Sequence, residues 1–77
     1  MTQEEAYEFC YEHQPDEDDY EIIINVRNNT SSDNEYELQV VCNDIYHYMN
    51  RDEYEDLKSG LELVEDDFDV VINENGI

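Results

Sequence analysis

The chain has 77 residues, and its 23 acidic residues stand against only three basic ones, which gives a formal net charge of −20 at pH 7. That length accommodates one domain, residues 1–77, with one small hydrophobic core. A protein this acidic repels DNA, RNA and anionic membranes, because those surfaces are themselves negatively charged and are bound through lysine and arginine. We therefore expect a basic protein as the partner, and a monomer in preference to a dimer.

No segment is apolar enough for a membrane span, and the N-terminus lacks the basic and apolar regions of a signal peptide. These features predict a cytoplasmic protein. In that reducing compartment, Cys10 and Cys42 are expected to be buried free thiols in preference to a disulfide.

The first predicted element is a helix from about Gln3 to His13. Thr2 and Glu5 have the spacing of a capping box, and Pro15 ends the helix. Four residues at helical spacing form its predicted buried face: Ala6, Phe9, Cys10 and His13. Three glutamates at intervals of four residues lie on the opposite face: Glu4, Glu8 and Glu12. An acidic connection follows: Asp16, Glu17, Asp18 and Asp19.

Two segments with a period of two, residues 20–27 and 35–43, predict β-strands. The segment between them, 28–34, is rich in Asn, Ser and Thr, which is typical of a loop between antiparallel strands. The residues predicted to face the core are Tyr20, Ile22, Ile24 and Val26 in the first strand and Tyr36, Leu38, Val40 and Cys42 in the second.

The second half of the chain is less regular. Residues 44–50 favour a short helical turn, and Asn50 with Glu53 then predicts a second capping box. A helix should run from Arg51 towards Glu65; if Gly60 ends it early, residues 61–64 form a strand instead. A last strand over 68–73 precedes a frayed tail, 74–77.

These elements predict an α+β fold: a small antiparallel sheet of three or four strands with two or three helices packed on one face.

The sequence offers little for catalysis. Cys10 and His13 share a helix face. Two side chains that pack in the core are a simpler interpretation of this pair than a catalytic thiolate–imidazole pair. There is no glycine-rich phosphate loop and no nucleophile elbow. The acid-rich segments lack the EF-hand spacing, and neither the two histidines nor the two cysteines show zinc-ligand spacing. We therefore predict no enzyme, no cofactor and no metal site.

The distribution of charge is more informative. Acids occur in every predicted element, although pairing them with lysine along a helix would gain about 0.2–0.5 kcal/mol per pair. Selection for a negative field explains this better than a merely solvated surface does. The candidate partner-binding acids are Glu4, Glu8, Glu12, Asp16, Glu17, Asp18, Asp19, Glu35, Glu37, Asp52, Glu53 and Asp56. Such crowding also predicts raised carboxyl pKa values.

The small size, extreme acidity, many tyrosines and asparagines and α+β pattern resemble the phage-encoded DNA-mimic inhibitors, and most of all the short anti-CRISPR proteins that block Cas9. The stretch IIINVRNNTSSDNEYELQV is similar in character to their Asn-rich hairpin. The resemblance covers composition and element order, and it transfers no residue roles.

This resemblance implies an inhibitor acting in the host bacterial cytoplasm, whose carboxylates replace phosphates or guanine acceptors in a basic groove. Exposed tyrosines would then provide desolvated anchors, with Tyr11, Tyr46 and Tyr54 as candidates. The alternatives are an anti-restriction protein or uracil-DNA glycosylase inhibitor, an acidic adaptor for a basic protein, and a carboxylate-rich cation-binding protein.

Overall fold

A computed structural model describes residues 1–30 and 35–77. Within these residues the elements are α1 (Gln3–His13), β1 (Glu21–Asn28), β2 (Leu38–Cys42), β3 (Ile45–Met49), α2 (Arg51–Glu62) and β4 (Asp69–Glu74). The predicted α+β class is confirmed. Both predicted capping boxes are also present, Thr2 with Glu5 and Asn50 with Glu53. None of the described helices is long and apolar enough to cross a membrane.

The four strands form one sheet in the order β3-β2-β1-β4. The pairs β1–β2 and β2–β3 are antiparallel, whereas β1 and β4 are parallel. The sheet is therefore mixed, and the prediction of an antiparallel sheet holds for three of its strands. The parallel pair arises because α2 carries the chain across the sheet, from β3 at one edge to β4 at the other.

One face of the sheet packs against both helices and forms the core. The buried apolar residues of the sheet are Ile22, Ile24, Val26, Leu38, Val40 and Cys42. The helices and the turn after α2 add Ala6, Cys10, Tyr54, Leu57, Leu61, Val64 and Phe68. The predicted buried face of α1 is confirmed for Ala6, Cys10 and His13, whereas Phe9 is only partly buried, and both cysteines are free thiols. The other face of the sheet remains open, with Ile23, Tyr46 and Val71 exposed.

The segment expected to form a helical turn is strand β3. Asn43 and Asp44 both have positive φ, 44° and 72°, which makes a two-residue turn of the kind that joins antiparallel strands. Cys42 and Ile45 pair directly across this turn. Ile45, His47 and Met49 have the period of two that is typical of a strand, and the interpretation of the sequence missed this signal.

Gly60 lies inside α2 and does not end it, so the alternative of a strand at 61–64 is wrong. The side chain of Met1 packs against this glycine, and a Cβ at Gly60 would lie 2.5 Å from Met1 Sδ. The close approach of Met1 therefore explains why a glycine, which has no Cβ, occupies position 60 inside a helix. The helix ends at Glu62, before the predicted limit.

Three smaller predictions also fail. Tyr20 and Tyr36 are exposed and not buried, although the Tyr20 ring packs edge-on against the core residue Phe68. The C-terminal tail is not frayed, because Asn75 donates to the carbonyl of Val26 and Asn28 donates to the carbonyl of Gly76. The first three residues of the expected second strand, 35–37, precede β2, and residues 31–34 of the predicted loop lie outside the described residues.

Candidate functional site

Every acidic residue that the structure describes is exposed. Three of these carboxylates pair with a cation in the described part of the chain: Asp56 with the N-terminal ammonium, Glu37 with Arg51 and Glu74 with Lys58. The remaining basic side chain, Arg27, donates to Gln39 on the open face of the sheet. Most carboxylates are thus exposed to solvent without a cation within pairing distance.

The predicted glutamates of α1 lie together on its outer face. Glu4, Glu8 and Glu12 are exposed, whereas Ala6 and Cys10 bury the opposite face of the same helix. At about 1.5 Å per residue, successive glutamates are roughly 6 Å apart along the axis. Burial of Ala6 and Cys10 therefore holds a row of carboxylates outward.

The acidic connection after α1 is a tight turn. The amide of Asp19 donates to the carbonyl of Asp16 at 3.0 Å, and Asp19 Oδ1 accepts from the amide of Glu21 at 3.0 Å. Glu17 and Asp18 occupy the exposed centre of this turn. Asp19 therefore has a structural contact, while the two central acids project from a fixed backbone.

The predicted acids of α2 have mixed roles. The Glu53 carboxylate accepts from the amide of Asn50 at 3.2 Å and so caps the helix, and Asp56 pairs with the N-terminus. Asp52 is exposed in the same first turn. The contact of Asp56 with Met1 also brings the N-terminal ends of α1 and α2 together.

The other predicted residues lie in separate places. Glu35 and Glu37 precede β2, and Glu37 Oε2 lies 3.1 Å from Arg51 Nε. Tyr11 is 58% exposed on α1 and Tyr46 is 60% exposed on the open face of the sheet, in agreement with their expected accessibility. Tyr54 is only 5% exposed, so its prediction as an exposed anchor is wrong. Its position at the first turns of α2 faces the core because Leu57 and Leu61 follow at helical spacing.

A surface cavity of about 450 Å³ lies between Phe9 of α1 and the first turns of α2. Its apolar lining is Met1, Phe9, Met49 and Leu57, and its acidic lining is Asp52, Glu53 and Asp56. The sequence predicted these acids but not the apolar floor. Phe9 was expected in the core, and only the tertiary packing shows that it is partly accessible.

A second cluster is buried between α1 and the β2–β3 hairpin. The ligand atoms of His13, Cys42 and His47 all lie within 4.8 Å of one another. His13 Nε2 and His47 Nε2 are 2.7 Å apart, and His13 stacks on Phe9 with ring centroids 4.0 Å apart. The spacing of these residues along the chain did not predict the cluster, because they come from three different elements.

Burial changes the acidity of this cluster. Burial raises the pKa of Cys42 to about 12, with a smaller contribution from the neighbouring Cys10 thiol, and it raises that of Cys10 to about 11. Burial and the nearby His13 lower the pKa of His47. These raised pKa values favour the neutral thiol of both cysteines near pH 7 and argue against either acting as a thiolate nucleophile.

Comparisons of the chain with protein-family models, with curated proteins and with solved structures found no match.

Proposed function

We propose that the protein is a non-catalytic nucleic-acid mimic that occupies the basic DNA-binding groove of a phage-defence nuclease. The preferred target is a CRISPR effector such as Cas9. The observation that carries this proposal is the density of fixed negative charge. The chain extends 38 Å along its longest axis and has a net charge of −20. A DNA duplex of that length, at one phosphate per ~1.7 Å, carries about 22.

The placement of the carboxylates also supports mimicry. The row Glu4, Glu8 and Glu12 projects from a helix that the core holds in place, so little ordering is needed on binding. Arginine side chains that bind phosphates or guanine edges can instead bind carboxylates through two parallel hydrogen bonds. The acids would then compete directly with DNA for the same arginines.

The cavity between the helices offers the apolar contact that charge alone lacks. Interfaces gain most of their affinity from a few desolvated anchors, while charges at the rim mainly accelerate association. A partner side chain inserted against Phe9 and Met49 would be surrounded by Asp52, Glu53 and Asp56. This arrangement suits an apolar residue flanked by arginine or lysine.

The proposal is tested by measuring DNA binding of a guide-loaded Cas9 complex to a labelled target duplex, with increasing amounts of the protein. We expect displacement of the duplex, with an apparent affinity that falls as salt rises. The triple variant Glu4→Gln, Glu8→Gln and Glu12→Gln should displace DNA at least about tenfold less effectively, a loss of roughly 1.4 kcal/mol.

The matched control neutralises three other exposed acids, Glu62→Gln, Glu65→Gln and Asp66→Asn. It makes the same change in net charge at a different place. Equal losses in both variants would indicate a non-specific charge effect and contradict a defined mimic surface. Binding to the nuclease without displacement of DNA would instead favour an acidic adaptor, and undiminished DNA binding by Cas9 and by restriction nucleases would overturn the proposal.

A further inference from the structure

We propose that His13, Cys42 and His47 form a binding site for one zinc ion, with His13 Nε2, His47 Nε2 and Cys42 Sγ as the ligands. The three residues come from α1, β2 and β3, and their ligand atoms lie within 4.8 Å of one another. Cross-strand pairing of Val40 with His47 places the imidazole on the core side of the sheet, the same side as Cys42. The fold thus brings together nitrogen and sulfur ligands that zinc prefers.

The hydrogen bonds of His13 orient it for coordination. His13 Nδ1 lies 2.7 Å from the carbonyl oxygen of Phe9, which can only accept, so Nδ1 carries the proton. The lone pair of Nε2 therefore faces the cluster. Asn43 also donates to the backbone carbonyl of His13 at 2.8 Å and holds the end of α1 in place. In zinc-bound histidine, the ring nitrogen that does not bind the metal usually donates a hydrogen bond to a carbonyl or carboxylate oxygen.

The short contact between the two imidazoles is explained by the same tautomer. With both imidazoles neutral and Nδ1 of His13 protonated, His47 Nε2 carries a hydrogen and donates it to His13 Nε2, 2.7 Å away. When zinc binds, this hydrogen is lost from Nε2 and His47 is protonated at Nδ1 instead, with no net change in charge. Both Nε2 lone pairs then point at the ion.

The dimensions require a small adjustment. With zinc–nitrogen distances of about 2.0–2.1 Å, a zinc–sulfur distance of about 2.3 Å and tetrahedral angles, a ligand nitrogen and the ligand sulfur are roughly 3.6 Å apart, so Cys42 Sγ must approach the imidazoles by up to about 1.2 Å. Two ligand nitrogens are roughly 3.3 Å apart, so the imidazoles must separate by about 0.6 Å. His47 can provide this movement because it lies on edge strand β3 and is only half-buried. Its exposed side also admits a water molecule as the fourth ligand.

Coordination by Cys42 needs loss of the thiol proton. The S–H bond breaks, the proton passes to the buffer, and a sulfur–zinc bond forms, so one proton is released for each ion bound. Complete burial of Cys42 opposes this step in the absence of metal. The two positive charges of the ion and the strongly negative protein favour it.

Zinc is preferred to calcium or magnesium because those ions select oxygen ligands, and this cluster offers nitrogen and sulfur. The bound ion would join α1 to the β2–β3 hairpin. In a domain this small, such a link adds directly to the stability of the fold.

The test titrates metal-free protein with zinc in the presence of excess magnesium, which occupies the surface carboxylates. We expect one zinc per chain, release of one proton near neutral pH, and a melting temperature several degrees higher. Cobalt in place of zinc should give a thiolate-to-cobalt charge-transfer band. His47→Gln and Cys42→Ser should each weaken zinc binding by at least about tenfold.

Two variants serve as matched controls. Tyr46→Gln alters the residue next to His47 on the opposite face of β3 and should keep zinc affinity within about twofold. Cys10→Ser alters the buried thiol beside Cys42, which is not one of the three proposed ligands, and should keep the thiolate-to-cobalt band. If Cys42→Ser does not fold, the cobalt band of the unaltered protein and the zinc titration of His47→Gln still test the proposal. Unchanged affinity in His47→Gln, a cobalt spectrum without the thiolate band, or loss of all zinc binding in magnesium would overturn the proposal.

Discussion

The Tyr54 hydroxyl donates a 2.7 Å hydrogen bond to Glu74 Oε1 and so fastens α2 to edge strand β4. Lys58 Nζ lies 2.7 Å from the same oxygen. Tyr54 is therefore a structural residue of the core with its polar end satisfied, and the pKa of Tyr54 is raised well above its usual range by burial and by the Glu74 carboxylate.

Tyr54→Phe should lower the free energy of unfolding by roughly 0.5–1.5 kcal/mol, because it removes one hydrogen bond and keeps the buried ring. Urea denaturation measures this change. Tyr11→Phe, at a position 58% exposed, should stay within about 0.5 kcal/mol of the unaltered protein. If Tyr54→Phe is folded yet fails to displace DNA from the target nuclease, Tyr54 contributes to the interface after all.

The pH dependence of stability should carry a contribution from Glu74 with a defined sign. Hydrogen bonds from Lys58 and Tyr54 lower the pKa of Glu74 below 4.5, and bonds within the capping box lower that of Glu5. Crowding of carboxylates was expected to raise their pKa values. At these two residues the hydrogen bonds that each carboxylate accepts have the larger effect and lower the pKa. A lowered folded pKa stabilises the protein above the unfolded value, and this stabilisation is lost as pH falls through the folded value.

Melting temperatures of the unaltered protein and of Glu74→Gln, measured from neutral pH into the acid range, test this sign. The unaltered protein should be the more stable at neutral pH, and the difference should shrink as the pH falls below about 4.5 and disappear below the folded pKa of Glu74. Glu62→Gln is the control, since it removes the carboxylate of another exposed residue, at the end of α2. A difference that grows on acidification would contradict the assignment.

Asp44→Gly should stabilise the protein. Asp44 has φ of 72°, a left-handed conformation that glycine adopts without a steric penalty, and Asn-Gly is the preferred pair for a two-residue hairpin turn. The expected gain is roughly 0.5–1 kcal/mol in the free energy of unfolding, measured by chemical denaturation. Asp44→Asn removes the same charge and keeps a side chain, so it separates the conformational effect from the electrostatic one. Equal gains in both variants would attribute the effect to charge.

Gly60→Ala should destabilise the protein, although alanine is the better helix former by about 1 kcal/mol. The new Cβ would lie 2.5 Å from Met1 Sδ, and displacing Met1 would also break the pair between the N-terminus and Asp56. We expect a net loss of roughly 1 kcal/mol in thermal or urea unfolding. Ser59→Ala, at the exposed neighbouring position, should instead stabilise the helix slightly. A gain in both variants would show that Met1 moves aside without cost.

Neutralising the centre of the acidic turn should stabilise the fold and weaken the inhibitor. Glu17→Gln with Asp18→Asn removes two exposed charges and leaves the structural contact of Asp19 intact. The melting temperature should rise at low salt, and the gain should vanish at about 1 M salt, where the screening length is about 3 Å. A salt-independent gain would point to a local backbone effect, and unchanged displacement of DNA would remove this turn from the mimic surface.

Local sequence was sufficient for the elements whose signals lie within a few residues. Helix α1 runs from Gln3 to His13 as predicted, because Thr2, Glu5 and an apolar spacing of three and four residues act within the helix itself. The alternation in β1 and the buried cysteines were predictable for the same reason. Strand β3 was missed because its five residues compete with a helical spacing, and positive φ at Asn43 and Asp44 is decided only when the strands pair.

The amino-acid sequence by itself determined the charge of the protein, its first helix and the alternating strands, since composition and periodicity are local properties. Only the tertiary structure decided that Tyr54 is buried, that Phe9 lines a cavity beside the acidic first turns of α2, and that His13 meets His47 across 34 positions of the chain. Such contacts depend on the order and register of the strands. Those are set by the packing of the whole core, and no short segment encodes them alone.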